Sequence, residues 1–409
     1  MKKQPSKTAV EIKPSGIRKF FDLASSMEGV ISLGVGEPDF DTPWHITEAG
    51  VESLANGQTH YTANRGLQQL REEIARFHSE HYGTEYDPLK EIIVTVGGSE
   101  GVDLCCRTLL EPGDEVIVLD PNYVAYEPAI LLQNAKPVYI ELKEENEFKL
   151  LPQDLISAIT DKTKAIILNF PSNPTGGVMT YEDYEKLVPI FEESGIYIIS
   201  DEIYAELTFD GEFASLAQFP SLREQVIVIN GFSKAFAMTG WRLGYLLADS
   251  SISSLMLKIH QFVIMSAPTP AQYAAIEAMR NGYPDVIEMR KSYEQRRNLI
   301  CSRLNKMGLK TNVPHGTFYV FPNISSTGLT SDEFCTRLVE QEKVAIVPGT
   351  AFGVHGEGFV RISYATSMDN IKKACERIEH FLDVLDAERK QRETEQTLEI
   401  IEEIIEITE

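Results

Sequence analysis

The chain has 409 residues, of which 43% are hydrophobic and 24% are charged, a composition typical of a globular protein. Its formal net charge of −23 argues against nucleic acid and anionic membrane surfaces as partners. The longest apolar runs, at 164–170 and 225–230, are far shorter than the roughly 18 residues that a membrane-spanning helix needs. The first residues lack the apolar stretch of a signal peptide, so we expect a cytoplasmic protein with no membrane association.

The cysteine pattern argues against a disulfide framework and against a metal centre. The five cysteines are odd in number, and no pair has the CxxC spacing of a zinc or redox motif. We therefore expect reduced, mostly buried thiols, and we predict no metal site.

The central part of the chain repeats one pattern, a short β-branched run followed by a turn and an amphipathic helical stretch. Near-continuous apolar strands that alternate with helices indicate a mostly parallel sheet covered on both faces. We therefore predict an α/β fold whose large domain holds a mostly parallel seven-stranded sheet sandwiched by helices. The predicted strands are 91–96, 115–119, 137–142, 164–170, 196–200, 225–229 and 242–248, and the predicted helices between them include 99–110, 154–159 and 181–193.

Beyond residue 284 the pattern changes to that of a smaller α+β module. The opening segment of the chain has too few apolar positions to form a core alone, so we expect it to pack with this module. The predicted elements of the module are a charged helix at 285–307, short strands at 316–321, 344–346 and 359–363, and a closing helix at 367–385.

These patterns predict three units: a large domain at 44–284, a smaller discontinuous domain made of 1–43 plus 285–387, and an acidic C-terminal extension at 388–409. The last 17 residues contain seven glutamates and no lysine or arginine. Leu398, Ile401 and Ile405 recur among them at helical spacing, which predicts a loosely attached terminal helix. A contact with a partner or a second copy is the alternative for this stripe.

Residues suited to ligand binding follow several of the predicted strands, and in open α/β sheets ligands bind at the carboxyl ends of the strands. After the first strand, Gly97-Gly98-Ser99-Glu100 opens a helix, an arrangement that presents backbone N–H groups to a phosphate. The other candidates at this edge are Tyr123, Asn173 in a turn flanked by prolines, Asp201, Tyr204, Ser233 and Lys234.

A carboxylate at the end of an apolar strand is costly unless it meets a cation, so Asp201 points to a bound positive charge. The chain has no GxGxxG after a strand and no GxxxxGK[ST], so the usual dinucleotide and nucleoside triphosphate signatures are absent. Pyridoxal 5'-phosphate (PLP) needs a lysine for a Schiff base, a carboxylate at its ring nitrogen, a phosphate cradle and an aromatic ring that stacks. We therefore predict a PLP site with Lys234 as its anchor.

The segment 233–245, SKAFAMTGWRLGY, resembles the PLP-lysine signature of class I/II aminotransferases of fold type I, the group that includes aspartate and aromatic aminotransferases. The similarity runs from about Ser15 to about Leu385. It includes GEPDF at 36–40, NPTG at 173–176, SDEIY at 200–204 and VRISYAT at 360–366. The resemblance implies an aminotransferase that moves the α-amino group of an L-amino acid to a 2-oxo acid by a ping-pong mechanism.

The same resemblance implies roles for individual residues. Lys234 would carry the Schiff base and move protons, and Asp201 would pair with the pyridinium nitrogen. Tyr204 and Asn173 would hydrogen-bond the phenolic oxygen of the ring, and Arg361 would hold the substrate's α-carboxylate by a bidentate pair. The remaining implied contacts are Tyr123 on the ring, Gly98, Ser99, Glu100 and Arg242 at the phosphate, and Ile17, Gly36 and Asn173 at the substrate.

Two further positions follow from the resemblance. Tyr61 matches a family tyrosine that reaches the phosphate of the neighbouring subunit, which implies a homodimer with shared active sites. Many family members carry a phosphate-binding serine three residues before the lysine, where this chain has Gly231. This departure puts one phosphate contact in doubt, and Ser233 is a candidate substitute.

Fold type I also includes C–S lyases, which share the lysine, aspartate and arginine, and regulators that carry a DNA-binding domain before the region of Gly36. The short segment before Gly36 argues against a regulator, and the lyase is the alternative function.

The segment SGIRKFFD at 15–22 looks most like broad-specificity or aromatic aminotransferases. Aromatic amino acids, aspartate, alanine and acylated diaminopimelate stay open as donors, with 2-oxoglutarate as an expected acceptor. Arg18 is either a contact to a dicarboxylate or an exposed helical residue.

Overall fold

The computed structural model describes residues 3–14, 16–17 and 27–408. Most of its strands belong to one large sheet, and the shorter ones form two small sheets elsewhere. The strands are β1 (Ile31–Ser32), β2 (Ile92–Thr95), β3 (Glu115–Asp120), β4 (Lys136–Glu141), β5 (Thr163–Asn169), β6 (Tyr197–Asp201), β7 (Val226–Gly231), β8 (Gly244–Leu247), β9 (Tyr319–Val320), β10 (Val344–Ala345), β11 (Val347–Pro348) and β12 (Val360–Ser363).

The helices lie on both faces of the large sheet and around a second core. They are α1 (Lys7–Glu11), α2 (Trp44–Ala55), α3 (Gln68–Tyr82), α4 (Gly97–Leu109), α5 (Tyr126–Leu131), α6 (Pro152–Ala158), α7 (Tyr181–Glu185), α8 (Val188–Ser194), α9 (Ser250–Val263), α10 (Thr269–Asn281), α11 (Tyr283–Lys306), α12 (Ser331–Glu342) and α13 (Met368–Thr408).

The large sheet has seven strands in the order β2-β8-β7-β6-β5-β3-β4. The neighbours from β7 through β4 are parallel, and β8 runs antiparallel to both β2 and β7. Every residue of β2, β7 and β8 is buried. The prediction of a mostly parallel seven-stranded sheet between layers of helices is confirmed, and the burial explains why these strands read as continuous apolar runs.

Successive residues of the inner strands pack into different cores because a strand turns alternate side chains to opposite faces. In β5, Ile166 and Leu168 belong to the core that also contains residues of α3, α6, α8 and α10. Ala165 and Ile167 belong to the core on the other face, with residues of α4, α5 and α9. The helices are thereby divided between the two faces, and the strand ends stay open at the edge of the sheet.

A second core lies beyond the large sheet and is built mainly from the C-terminal third of the chain. It contains buried residues of α11, α12, α13 and of the small sheet β11-β12-β9. The β1 strand pairs in parallel with β10, and Leu33 joins the same core. Residues 31–33 of the opening segment thus pack with the C-terminal module, whereas the division into three units stays a prediction.

Two helix predictions were wrong in extent. The segment 181–193, predicted as one helix, is broken into α7 and α8, with Pro189 in the first turn of α8. Proline has no N–H to donate to the preceding turn, so it starts a helix better than it continues one. The closing helix, predicted to end at residue 385, continues without a break to Thr408, and the tail is part of it.

The cysteines agree with the expectation from the sequence. All five cysteines are free and buried. Within residues 3–14, 16–17 and 27–408, no cluster of histidine, cysteine, aspartate or glutamate could hold a metal ion. Over the same ranges, no helix combines the length and the apolar character that crossing a bilayer would require.

Candidate active site

A cavity of about 360 Å³ lies at the carboxyl edge of the large sheet, where the inner strands end and the second core begins. The segments after β2, β5, β6 and β7 meet here because strands that run in the same direction end at the same edge. Predicted site residues that line this cavity are Ile17, Gly36, Gly98, Ser99, Tyr123, Asn173, Asp201, Tyr204, Ser233, Lys234, Arg242 and Arg361.

Asp201 is the last residue of β6, and its carboxylate is buried beneath the cavity. The hydroxyl of Tyr126 donates to Oδ2 at 2.7 Å, and the backbone N–H of Ile203 donates to Oδ1 at 3.3 Å. Burial raises the pKa of Asp201 to about 6, while the Tyr126 hydrogen bond and the charge of Lys234 act to lower it. The carboxylate is thus held in place by two donors and is shielded from water. In this state its attraction to a bound cation is strongest.

Lys234 follows β7 after a short turn, and its amine enters the cavity from the side of the second core. Nζ donates to the carbonyl oxygen of Gly36 at 2.5 Å and lies 5.7 Å from the ring centres of Tyr204 and Phe318. Burial, together with the positive charge of Arg361, lowers the pKa of Lys234 to about 8. A substantial fraction of the amine is therefore neutral, and hence nucleophilic, near neutral pH.

Arg361 lies on β12 with 3% of its surface exposed. Its Nη1 donates to Oδ1 of Asn173 at 2.9 Å and its Nη2 to the carbonyl oxygen of Gly34 at 2.7 Å, whereas Nε has no partner among the described residues. The rings of Tyr319 and Phe352 lie 4.4 and 4.7 Å from its central carbon. Because both oxygen partners are neutral, this buried cation with a free donor is suited to bind an anion.

The turn between β2 and α4 forms the other end of the cavity. The α4 helix begins at Gly97 with no side-chain cap, so the N–H groups of its first turn are available to a ligand at Gly98 and Ser99. Gly97 has a φ of +72°, and a Cβ built there would lie 2.8 Å from Nη2 of Arg242. A helix N-terminus and a guanidinium against one turn form a site for an anion such as phosphate.

Glycines beneath this turn explain the departure at position 231. A Cβ on Gly231 would lie 2.8 Å from Cα of Gly244, and a Cβ on Gly244 would lie 2.8 Å from the backbone of Gly97 and Gly98. Three backbone segments therefore pack in direct contact, and a serine at position 231 would have no room in this packing. Ser233 lines the cavity, so it stays the candidate for the missing phosphate contact.

Tyr204 and Asn173 lie on the wall between Lys234 and Arg361. The hydroxyls of Tyr204 and Tyr319 are 2.9 Å apart in the buried interior. The backbone N–H of Asn173 donates to the side-chain oxygen of Asn169, whose amide donates to the carbonyl oxygen of Asp201. The asparagine and tyrosine predicted to hold the ring oxygen are thus fixed by neighbours, and their roles toward a ligand stay predictions.

Two predicted residues, Glu100 and Tyr61, do not line the cavity. The carboxylate of Glu100 accepts from the N–H of Val96 at 2.5 Å and pairs with Nδ1 of the buried His260 at 2.6 Å, so this side chain braces the turn. Tyr61 is 82% exposed on a different face of the molecule, beside residues 266–270. Arg18 lies outside the described residues.

Sequence reasoning missed three residues that shape the site. Tyr126 binds the Asp201 carboxylate, and Tyr319 contacts both Tyr204 and Arg361. Asn169 lines the cavity and anchors Asn173. Asn169 is a polar residue at the end of β5, within a run of apolar residues. This break in the apolar pattern is a signal that could have identified it. The positions of Tyr126 and Tyr319 offer no such signal, because buried tyrosines are common in cores.

Comparison with known proteins identifies the family. Residues 28–378 match the sequence profile of aminotransferase class I and II. The chain belongs to this family. It is an enzyme of the transferase type, as the resemblance at the lysine segment predicted, and its seven-stranded sheet is that of fold type I.

Similar proteins cover nearly the whole of this aminotransferase. It is 45% identical over 374 residues to aromatic-amino-acid aminotransferase 2 of Thermococcus litoralis, and 46% identical over 374 residues to the aspartate aminotransferase of Pyrococcus abyssi. Each alignment covers 91% of this chain and 96% of the relative. The crystal structure of the aromatic aminotransferase from Pyrococcus horikoshii superposes with a TM-score of 0.86 at 44% identity, covering 91% of this chain and 99% of that one.

Proposed function

We propose that this aminotransferase uses PLP to move the α-amino group of an L-amino acid to a 2-oxo acid by a ping-pong mechanism. The convergence of three groups in one cavity carries the proposal: the amine of Lys234, the buried carboxylate of Asp201 and the guanidinium of Arg361. Burial penalises each charge unless a ligand of opposite charge is bound. The family membership supports the same reaction.

The residues of the cavity fit PLP in charge and in chemical type. Asp201 would pair with the protonated ring nitrogen, and Lys234 would bind the aldehyde. Tyr204 and Asn173 would hydrogen-bond the phenolic oxygen, and the ring of Tyr123 would stack on the cofactor. The phosphate would be held by Gly98, Ser99 and Glu100 through their backbone, by Arg242 and Ser233 through their side chains, and by Tyr61 of the neighbouring subunit.

Bound PLP supplies an aldehyde that condenses with amines and a pyridinium ring that delocalises the electron pair left on the substrate's α-carbon. The chain's own residues supply proton transfer and orientation. As a neutral amine, Nζ of Lys234 accepts the proton from the α-carbon and returns a proton later in the cycle. Asp201, ionised above its pKa of about 6, keeps the ring nitrogen protonated throughout.

Arg361 would bind the α-carboxylate of the amino acid and of the 2-oxo acid. Its free Nε and the outer edge of its guanidinium suit the bidentate pairing that a lysine cannot reproduce. Gly36 lets its segment lie directly against Tyr319 beside Arg361, because a Cβ at this position would lie 2.6 Å from the hydroxyl of Tyr319. The carboxylate would therefore be fixed while the α-carbon faces Lys234.

We propose aromatic and other uncharged amino acids as the preferred donors. The basic side chains that line the cavity in the described ranges are Lys234, Arg242 and Arg361, and each already has a role above. No basic group of that lining is left for the distal carboxylate of aspartate. Ile17 supplies an apolar surface at the entrance.

A homodimer with shared active sites is part of the proposal. Tyr61 is 82% exposed and Phe262 is 87% exposed, an unusual state for two large aromatic rings. The segments that carry them are linked, since Asn64 donates to the carbonyl oxygen of Met265 and Thr269 to that of His60. A neighbouring subunit that covers this face would bury both rings and bring Tyr61 to its own cavity.

The division into a large domain at 44–284, a smaller one at 1–43 plus 285–387 and an acidic extension at 388–409 is also proposed. The separate second core supports it. A cytoplasmic location and the lack of nucleic acid or membrane partners are proposed as well, and the net charge of −23 supports the lack of nucleic acid and anionic membrane partners.

The half-reaction tests the reaction type. The PLP-loaded protein is mixed with L-phenylalanine in the absence of a 2-oxo acid, and the absorbance spectrum is followed. We expect one equivalent of pyridoxamine 5'-phosphate per site and one of phenylpyruvate. The Lys234→Ala variant should bind the cofactor without the Schiff-base absorbance and lose turnover by a factor of about 10³ or more. No conversion with any amino donor contradicts the proposal, and release of homocysteine from L-cystathionine, added in place of phenylalanine, without conversion to pyridoxamine 5'-phosphate indicates the lyase.

Donor preference is tested by steady-state kcat/KM for phenylalanine, tyrosine, alanine and aspartate with 2-oxoglutarate as the acceptor. We expect the aromatic donors to exceed aspartate by roughly tenfold or more, because a distal carboxylate without a cation loses its hydration uncompensated. A higher kcat/KM for aspartate would contradict the donor class and leave the reaction type intact.

A further inference from the structure

A loop of the C-terminal module is held against the carboxyl end of β3, next to the cavity. It consists of two short 3₁₀ turns, Gly349–Phe352 and Val354–Gly356, and is called the β3-contact loop below. The N–H of Asn122, two residues after β3, donates to the carbonyl oxygen of Phe352 at 2.8 Å. The loop thus joins the large sheet at the strand that leads to Tyr123.

The contact is centred on Asp120, the last residue of β3, whose side chain is 1% exposed. Its Oδ2 accepts from Nδ1 of His355 at 2.7 Å and lies 3.4 Å from the His355 backbone nitrogen, while Oδ1 has no partner among the described residues. Because a buried carboxylate is costly without a donor, His355 is the group that stabilises it here. His355 belongs to the β3-contact loop, so this bond is also a tether between the two parts of the chain.

The backbone of the loop is shaped to this carboxylate. Gly353 adopts a φ of +135°, and a Cβ built on it would lie 1.6 Å from Oδ1 of Asp120. A side chain at this position is therefore excluded both by the backbone conformation and by the carboxylate. The loop backbone therefore lies directly against the Asp120 carboxylate.

The β3-contact loop in turn supports the substrate side of the cavity. Phe352 is buried, and its ring lies 4.7 Å from the central carbon of Arg361, which the ring of Tyr319 also approaches, at 4.4 Å. Ala351 lies against the N-terminal segment, because a Cβ built on Gly16 would lie 3.4 Å from the Cβ of Ala351. Ile17, which lines the cavity, follows directly. One loop therefore contacts both the guanidinium and the segment that faces the substrate side chain.

We propose that His355 is a positioning residue for substrate binding: its hydrogen bond to Asp120 holds the β3-contact loop so that Phe352 fixes one face of Arg361. The inference rests on the proposed role of Arg361 as the ligand of the substrate carboxylate. His355 is not among the residues that line the cavity, and it acts through Phe352 and Ala351. Loss of the tether releases the loop and broadens the orientations of the guanidinium.

The test uses the PLP-loaded protein and three variants at neighbouring positions. His355→Ala removes the donor, His355→Asn retains a donor at nearly the position of Nδ1, and Val354→Ala is the matched control at an exposed position of the same loop. We expect His355→Ala to raise KM for both the amino acid and the 2-oxo acid about tenfold, with a smaller change in kcat. His355→Asn should recover most of the increase, and Val354→Ala should match the parent protein.

A binding measurement separates this inference from the proposed reaction. The dissociation constant of 3-phenylpropanoate, a carboxylate with no amino group to transfer, is measured with each loaded variant by titration calorimetry. The dissociation constant should rise about tenfold in His355→Ala, in parallel with KM. Transamination by the parent protein with KM and 3-phenylpropanoate affinity unchanged in His355→Ala would overturn the inference and leave the proposed function standing.

The double variant Asp120→Ala with His355→Ala distinguishes positioning from simple neutralisation of a buried charge. It removes the unpaired carboxylate, so thermal stability should recover relative to His355→Ala alone. If His355 positions the loop, KM stays raised in the double variant although stability returns. A return of KM together with stability would overturn the inference, as would a His355→Asn variant that behaves like His355→Ala.

Discussion

At the scale of single residues, burial shifts the pKa values of two charged groups of the cavity toward neutral pH. The pKa of Lys234 falls to about 8 and that of Asp201 rises to about 6. Both shifts have the same cause, the loss of water around the charged form. Between these two values the carboxylate is ionised and part of the amine is neutral. Before any ligand binds, the Lys234 amine can therefore attack an aldehyde and the Asp201 carboxylate can pair with a protonated ring nitrogen.

The lowered pKa of Lys234 predicts how the cofactor-free protein captures PLP. Only the neutral amine adds to an aldehyde, and its fraction rises with pH until the pKa of about 8 is passed. We expect the rate constant for covalent capture to rise roughly tenfold per pH unit below pH 7 and to level off above about pH 9. Stopped-flow absorbance measures it.

Pyridoxamine 5'-phosphate, which has no aldehyde, is the control, and its binding should lack this rise. A capture rate that keeps increasing tenfold per unit up to pH 10 would assign Lys234 an ordinary lysine pKa and contradict the prediction.

At the scale of elements, the turn between β2 and α4 shows how glycines make an anion site. Gly97 is placed at the start of α4 with a positive φ, and the space where its side chain would be is occupied by Arg242. Gly231 and Gly244 let two further strands approach the same turn. The helix N-terminus, the guanidinium and the strand β7 that leads to Lys234 are thereby packed together.

Gly97→Ala should weaken PLP binding. The new methyl group requires a strained φ and lies 2.8 Å from Nη2 of Arg242, so the guanidinium must move away from the phosphate. We expect the dissociation constant of PLP, measured by titrating the cofactor-free protein, to rise by roughly 10- to 100-fold. Gly113→Ala is the control, since Gly113 has a φ of +96° and nothing within 4 Å of its built Cβ. If the dissociation constant of PLP rises equally in the two variants, backbone strain alone accounts for the loss of binding.

The C-terminal helix α13 combines a buried and an exposed part in one element. Its N-terminal half contributes Phe381 and Leu385 to the second core, and Glu388 pairs with Arg337 of α12. Farther along, Leu398 and Ile401 are about half exposed. The sequence from 386 onward has no glycine or proline and is rich in glutamate, so the helix has no local reason to end.

Deletion of 393–409 should leave transamination intact. The removed residues contribute nothing to the cavity lining or to the second core in the described part of the chain. We expect kcat/KM within about twofold of the parent and a melting temperature within a few degrees. Deletion of 380–409, which removes Phe381 and Leu385 from the core, is the comparison and should be strongly destabilised. A large loss of kcat in the shorter deletion would assign the tail a role in catalysis.

At the scale of the whole molecule, the exposed position of Tyr61 leads to a test of shared active sites. Tyr61→Ala should lower activity by removing a phosphate contact, and Lys234→Ala should abolish it. In a mixed dimer of the two variants, one site combines Lys234 from one subunit with Tyr61 from the other and is complete. We expect activity to reappear when the two inactive or weakened proteins exchange subunits, measured as transamination above the sum of the separate proteins.

The controls for this experiment are each variant taken through the same exchange procedure alone. No gain on mixing, with heterodimers demonstrated by mass, would mean that each site takes Tyr61 and Lys234 from the same chain or does not use Tyr61.

The sequence by itself determined the sheet, its parallel strands and the chemical identity of most of the cavity. Apolar strands that alternate with helices can be buried only as a covered parallel sheet, and such a sheet brings the residues after its strands to one edge. Asp201, Lys234 and the glycine turn at 97–98 could therefore be placed together without coordinates. Arg361, far along the chain in the C-terminal module, was identified through the family motif.

Only the tertiary structure decided which contacts set the properties of those residues. The bond from Tyr126 to Asp201, the ring of Phe352 beneath Arg361 and the tether between His355 and Asp120 join segments that are distant in the chain or carry no distinctive pattern. Side-chain packing between separate elements depends on the three-dimensional arrangement and leaves no periodic signal in the sequence. The same reason applies to the pKa values, because desolvation is a property of the folded cavity.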